Sequence, residues 1–352
     1  MQPISAYGYT FHEPKSPLER RDFSIDSVAD GHVVVQVAGC GLCHTDISFF
    51  SGQVKPNRVP VILGHEISGR IVGASAEFES LVGKNVIVPA ILPCGECDLC
   101  GSGRGNVCRR QVFPGNDFDG GFASHAVVPG RFLCVIPEDT GNLTVAQLSV
   151  IADAITTPYQ AMVRSEVQTG DLAVVVGVGG IGTYMVQWAK HAGAVTVAID
   201  VDEKKLENAM RMGADHTINA KDYSEGDVKK AVRDLVKEQS LAKTRWKVFE
   251  TSGTASGQAV AFSLLSFAGT VAIVGFTMDK VSIRLSNVMA FDAEIFGNWG
   301  CKPEYYANVV REVVAGRINV RDNVEERPLD SINDIFKLAL EHKLERRVVL
   351  VP

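Results

Sequence analysis

The run Ala173-Val-Val-Val176 leads straight into Gly177-Val-Gly-Gly-Ile-Gly182, and that junction constrains the fold more than any other feature of the chain. A short apolar run dominated by valine suits a strand buried on both faces. Residues 184–191 follow at helical spacing, and Val195-Thr-Val-Ala-Ile199 supplies a second strand. The succession is a βαβ unit, and in that setting the three glycines have separate tasks. Gly177 permits the tight turn, Gly179 lets backbone approach a pyrophosphate, and Gly182 lets helix and strand pack closely. Gly180 and Ile181 complete a loop whose N–H groups, at a helix N-terminus, suit phosphate. Asp200 closes the second strand, eighteen residues after Gly182, where its carboxylate can accept from both hydroxyls of an adenosine ribose. A 2′-phosphate there would meet a like charge, at a cost on the order of several kcal/mol. NAD is therefore expected as the dinucleotide in preference to NADP.

Strand candidates at 247–250 and 270–274, alternating with helical stretches at 225–239 and 256–267, extend the unit into a doubly wound parallel sheet. The first 150 residues read otherwise. Short β-branched runs such as His32-Val-Val-Val-Gln-Val37, set between Gly- and Pro-rich turns, suit a strand-rich domain. At 352 residues and 46% hydrophobic, the chain can bury the cores of two domains. Its 35 Lys and Arg against 41 Asp and Glu leave a net charge of -6, which offers no footprint for a nucleic-acid backbone. No run approaches the roughly 20 apolar residues of a membrane span, and the N-terminal segment carries no apolar stretch after a basic start. Neither a nucleic acid nor a membrane is expected as a partner, and the expected location is cytoplasmic.

Four of the eight cysteines fall within fifteen residues, at Cys94, Cys97, Cys100 and Cys108 in PCGECDLCGSGRGNVC. In a chain expected to stay in a reducing compartment, that clustering points to metal rather than disulfides. Four thiolates converging on one tetrahedral ion make a closed structural zinc site; an iron–sulfur cluster is the chemical rival, but the spacing matches neither common ferredoxin run. A second group is dispersed: Cys43 in GLCHTD, His65 and Glu66 in GHE, and Asp153 in VIADAITTPYQA. Catalytic zinc takes about three protein ligands and keeps one position open, and a thiolate, an imidazole and a carboxylate supply that mixture.

With these motifs in place, the chain resembles the zinc-containing medium-chain alcohol dehydrogenase family over nearly its whole length. GLCHTD, GHEISG, the four-cysteine lobe, DGGFASH, GVGGIG and the closing RRVVLVP fall in family order. The resemblance implies a GroES-like catalytic domain at 1–154 carrying the structural-zinc lobe 94–108, an inserted Rossmann domain at 155–295, and a return to the catalytic domain at 296–352. It implies two zinc ions per chain, with Cys43, His65 and Asp153 holding the catalytic one and Glu66 beside it as an exchanging ligand or as support. Asp46 would orient His65 through its free ring N–H, and Thr45 would accept the substrate proton. His44 would reach the pyrophosphate, Lys205 would lie near the ribose, with a solvated helix charge as its equal alternative, and Gly275 and Phe276 would line the nicotinamide pocket. A homodimer or homotetramer is implied as well. Two positions depart from the common pattern. Many members have cysteine where Asp153 stands, so a helix N-cap is the alternative for that residue. Ser48 stands where some members carry the histidine that ends the proton relay.

The runs CHTDISFFSGQVKP, VIVPAILPCGECDLCGSGRGNVC and PGNDFDGGFASH resemble most the branch of the family that oxidises a ring alcohol carried as an acyl-CoA thioester. A CoA tail needs local positive partners in a chain of net charge -6. Lys55, Arg58, Arg104, Arg109 and Arg110 are candidates, with solvated surface charge as the plain alternative for each. A free secondary alcohol, polyol or amino alcohol is the alternative substrate. A zinc-stabilised dinucleotide-binding protein without catalysis is the non-enzyme alternative, against which Cys43, Thr45, His65 and Glu66 all speak.

Overall fold

Every residue of the strand Leu172–Val176 is buried, as a strand covered on both faces requires. In the computed structural model, which describes residues 2–352, this strand lies at the centre of a parallel six-stranded sheet. Val195–Asp200 and then His216–Asn219 pair on one side of it; Lys247–Glu250, Thr270–Ile273 and Glu294–Gly297 follow on the other. The chain order therefore reverses between Leu172–Val176 and Lys247–Glu250, the point at which an open α/β sheet binds its ligand. Helices Gly182–His191, Glu203–Arg211, Glu225–Glu238 and Ala255–Ser263 connect the strands. Ser224 and Asp227 form a reciprocal capping box at the third of these, and Thr254 caps the fourth by accepting from Gly257 N–H. Beneath the helices, Val174, Val197, Val232, Trp246, Val248 and Val271 form one apolar core.

The outer strands His216–Asn219 and Glu294–Gly297 add to the sheet expected from sequence. Neither has a buried residue, so neither carries the apolar run that betrays a central strand.

Backbone contacts divide the chain into two compact units, Thr157–Trp299, which holds this sheet, and Met1–Thr156 together with Gly300–Pro352. The second unit is built, among the described residues, on a seven-stranded and a three-stranded sheet. Its longest strand, His32–Gly41, pairs antiparallel with Glu66–Ala74 and with His125–Pro129. Irregular register at Val34/Val35 and Val37/Gly39 bends that pair. The final strand, Arg347–Val351, closes beside it, with Val349 opposite Gly41 and Leu350 opposite Cys40. Val33, Val35, Ile67, Ile71, Phe122, Phe336 and Leu350 fill the interior. Among the described residues, no helix is long and apolar enough to cross a membrane.

Candidate functional site

The helix His44–Ser51 begins immediately after Cys43, and its first turn is organised by Asp46. That carboxylate, 1% exposed, accepts from Cys43 N–H at 3.0 Å and from Gly64 N–H at 3.0 Å. One side chain thus ties the turn bearing Cys43 to the residue preceding His65. The Asp46 carboxylate also lies 3.5 Å from His65 Nδ1, while His65 Nε2 lies 3.6 Å from Asp153 Oδ2. Cys43 Sγ is 3.7 Å from the same Asp153 oxygen and 3.9 Å from Thr45 Oγ1. Ligand atoms of Cys43, His65, Glu66 and Asp153 all fall within 4.8 Å of one another.

This cluster fits a metal ion on its own chemistry. Both ring nitrogens of His65 are buried and make no hydrogen bond, a costly arrangement for an imidazole 1% exposed. Burial pushes the His65 imidazole toward neutrality, yet Asp46, Cys43 and Asp153 together outweigh it and hold it well above the usual histidine range. A thiol, an imidazole and two carboxylates converging at this range are a donor set that a metal ion can use. Phe113 covers one face of the imidazole, with ring centroids 4.7 Å apart.

Glu66 is held differently from its neighbours. Its Oε2 accepts from Arg347 Nε at 2.9 Å, its Oε1 accepts from Arg347 Nη2, and Oε1 also accepts from Ala154 N–H at 3.2 Å. This is a bidentate fork with both side chains buried, the geometry that adds directional specificity to an arginine–carboxylate pair. Arg347 falls in the closing RRVVLVP run, but the sequence assigns it no role. It lies 281 residues from Glu66, and only the docking of the final strand brings the two together.

In the cysteine lobe, a short helix at Asp98–Gly101 and a 3-10 turn at Gly105–Val107 fold the chain back on itself. The sulfurs of Cys97 and Cys100 are 3.5 Å apart, those of Cys97 and Cys108 3.6 Å, and those of Cys94 and Cys100 3.9 Å. A tetrahedral zinc with bonds of about 2.3 Å would set its sulfurs about 3.8 Å apart. N–H groups of Cys94 and Arg110 point at Cys108 Sγ, at 3.4 and 3.3 Å. The Glu96 N–H is the foremost influence pulling the Cys94 thiol down to about 6.

In the unit bearing the parallel sheet, Gly177 adopts φ +87, and a Cβ at Gly182 would lie 1.9 Å from Gly177 O. Both positions therefore require glycine, one for its turn and one for helix–strand contact. A Cβ at Gly179 would meet nothing within 4 Å, leaving open space above the loop. Gly180 is exposed and Ile181 half-buried at the approach to the helix. Asp200 accepts from Val178 N–H at 2.9 Å through Oδ2, and from Val201 and Asp202 N–H at 2.8 and 3.1 Å through Oδ1. Its carboxylate braces the glycine loop against the end of the neighbouring strand. Thr251 and Thr183, which carried no sequence signal, donate to Gly177 O at 2.5 Å and to Val178 O at 3.0 Å. Gly275 and Phe276 follow the strand Thr270–Ile273, with Phe276 54% exposed; Lys205 is exposed on the helix Glu203–Arg211. His44, Lys55, Arg58, Arg104, Arg109 and Arg110 are all exposed, and Arg110 pairs with Glu96 at 2.9 Å.

Known proteins align with this architecture. Residues 29–138 match the model of the alcohol dehydrogenase GroES-like domain, and residues 180–315 match that of the zinc-binding dehydrogenase. An alcohol dehydrogenase of Geobacillus stearothermophilus is 30% identical over 343 residues, covering 96% of each chain. The crystal structure of the alcohol dehydrogenase of Aeropyrum pernix superposes with a TM-score of 0.88 at 28% identity, covering 98% of this chain and 100% of that one. The D-arabinose dehydrogenase of Sulfolobus solfataricus shares the fold, with a TM-score of 0.83 at 23% identity over 99% and 100% of the two chains. With both domain models matched in order and a 30% identical relative aligned end to end, this chain belongs to the zinc-dependent alcohol dehydrogenase family of oxidoreductases.

Proposed function

We propose that the protein is an NAD-dependent dehydrogenase in which Cys43, His65 and Asp153 hold a catalytic zinc and Cys94, Cys97, Cys100 and Cys108 hold a structural one. The observation that carries the reading is the buried His65 ring, both of whose nitrogens lack a hydrogen bond although Cys43, Glu66 and Asp153 offer ligand atoms within 4.8 Å of one another and of the ring. When bound, zinc supplies Lewis acidity toward the substrate oxygen, and NAD supplies the acceptor for the hydride. The chain's own groups prepare that chemistry. Asp46 favours the proton on His65 Nδ1, leaving Nε2 with its lone pair toward Asp153 and Cys43. Thr45, beside Cys43 Sγ, takes the proton of the substrate hydroxyl. Ser48, one turn along the same helix and 5% exposed, has no imidazole, so the proton is not handed to solvent by a histidine there. Asp200 keeps the glycine loop in shape and presents a negative charge that disfavours a 2′-phosphate. His44 and Lys205 remain assigned to the pyrophosphate and the ribose, and Gly275 and Phe276 to the nicotinamide.

For the substrate, the three runs that resemble a ring-alcohol branch point to 6-hydroxycyclohex-1-ene-1-carbonyl-CoA dehydrogenase, an enzyme of anaerobic benzoyl-CoA degradation. The reaction would convert that thioester to 6-oxocyclohex-1-ene-1-carbonyl-CoA. Exposed Lys55, Arg58, Arg104 and Arg109 support it as partners for CoA phosphates; Arg110 is weaker, because Glu96 already pairs with it. The second reading is a free secondary alcohol, polyol or amino alcohol, which needs no basic rim. Comparing kcat/KM for the hydroxycyclohexenyl-CoA thioester, its free acid and simple alcohols at low and moderate salt separates the two. The thioester is expected to lead by a margin that shrinks with salt. A free alcohol ahead of the thioester would defeat the CoA assignment and leave the zinc dehydrogenase intact. Self-association into a homodimer or homotetramer is supported by the open sheet edge at Glu294–Gly297 and the exposed Met278, Leu285 and Met289. A cytoplasmic location is consistent with eight cysteines that form no disulfide.

A further inference from the structure

Asp153 stands in irregular backbone, φ -143 and ψ -60, between the 3-10 turn Gln147–Ala152 and the helix Thr156–Arg164. Metal–ligand distances tolerate only a few tenths of an ångström of error. An aspartate has a short side chain, so its oxygen can be no better placed than the backbone carrying it. That backbone is pinned on both sides. Before Asp153, the Ala152 carbonyl accepts from the Tyr306 hydroxyl at 2.5 Å and, at longer range, from Ala90 N–H at 3.4 Å. After it, Ala154 N–H donates to Glu66 Oε1, and the Thr156 hydroxyl donates to the Asp153 carbonyl at 3.4 Å.

Tyr306 is suited to this task. It opens the helix Tyr306–Val314, is 1% exposed, and is among the largest fully buried side chains of the protein. Its ring has only two rotatable bonds and is enclosed on all sides, so the hydroxyl is delivered to one point. A phenol is protonated at neutral pH, so facing the Ala152 carbonyl it acts as the donor.

We propose that Tyr306, with Thr156 beside it, is a positioning residue for the catalytic metal: it fixes the 152–154 backbone so that the Asp153 carboxylate meets Cys43 and His65 in ligand geometry. The inference rests on the reading of Asp153 as the third zinc ligand. It assigns Glu66 and Arg347 to the other end of the same clamp, acting through Ala154. Groups that orient metal ligands typically contribute about 10- to 100-fold in metal affinity. Tyr306 should contribute at the lower end of that range, because it acts on backbone.

The test uses the full-length zinc-loaded protein and a chromophoric chelator, with Tyr306→Phe and Asp153→Ala measured beside the wild type. Tyr306→Phe is expected to release its catalytic zinc about tenfold faster while the four-cysteine zinc leaves at the wild-type rate. In the cobalt-substituted protein, the visible bands of the catalytic site should shift. Introducing 4-aminophenylalanine at 306, which restores a donor to Ala152, should recover both properties. Where Tyr306→Phe does not fold, Thr156→Val tests the same segment with less loss of packing and is expected to move the same two readouts. Wild-type release and spectrum in the Phe variant, with Asp153→Ala losing one zinc, would overturn the positioning role and leave Asp153 a ligand. Equal acceleration of both zincs would overturn it too, as a general loss of stability. Two zincs retained in Asp153→Ala would instead remove the ligand reading on which the inference stands.

Discussion

Single carboxylates at both candidate sites do two things at once, and that governs what their substitution will show. Asp200 is assigned to the ribose, yet three backbone N–H groups already bond to it, one of them from the glycine loop. Asp200→Gly therefore removes the ribose acceptor and the brace together. NAD affinity is expected to fall by about ten- to a hundredfold, as loss of bonds to a charged acceptor implies. The ratio of NADP to NAD should rise while NADP itself gains little, because the loop is loosened for either cofactor. Fluorescence titration of both cofactors checks this, and a wild type that uses them equally would show Asp200 to be misassigned. The position of Asp200 was legible in the sequence, as the end of a strand after a glycine motif. Its bond to Val178 N–H was not, because that depends on how two adjacent strands end in space. Glu66 is a parallel case: its motif marked it, but the bonds of Arg347 to both its oxygens, which favour the supporting role, depend on a strand 281 residues away.

Elements were legible in proportion to how completely they are buried. Leu172–Val176 announces itself as an unbroken apolar run because both faces are covered, whereas Glu294–Gly297 has two half-buried residues between exposed ends and carries no such run. The cysteine lobe is the opposite case, an element whose order comes from chemistry rather than burial: Cys97 and Cys100 are only half-buried and its helix has four residues. A segment of that kind depends on its ion, since metal binding and folding share one free energy. Cys97→Ser is accordingly expected to lose one zinc per chain and to lower the melting temperature by several degrees or more. NADH binding should persist, because the glycine loop belongs to the other compact unit. Metal analysis with a melting curve checks this; unchanged zinc and an unchanged curve would show that the lobe does not need metal.

At the scale of the whole chain, the proposed metal-binding group draws on three regions of sequence, at 43, 65–66 and 153, with hydrogen bonds to its surroundings from a fourth and a fifth at 306 and 347. The first three were legible because short motifs mark their chemistry. The last two were not, because a tyrosine in a helix and an arginine in a terminal strand are ordinary until folding sets them against Ala152 and Glu66. The central claim is that this assembly holds a zinc through Cys43, His65 and Asp153 and that turnover depends on it. Its most direct test is the zinc content of the wild type and of Asp153→Ala, with NADH formation followed in the same samples. The account predicts two zincs per chain in the wild type, and one in the variant with turnover lost while the fold and NADH binding survive. Two zincs and a near-normal rate in Asp153→Ala would contradict it and leave Glu66 as the third ligand.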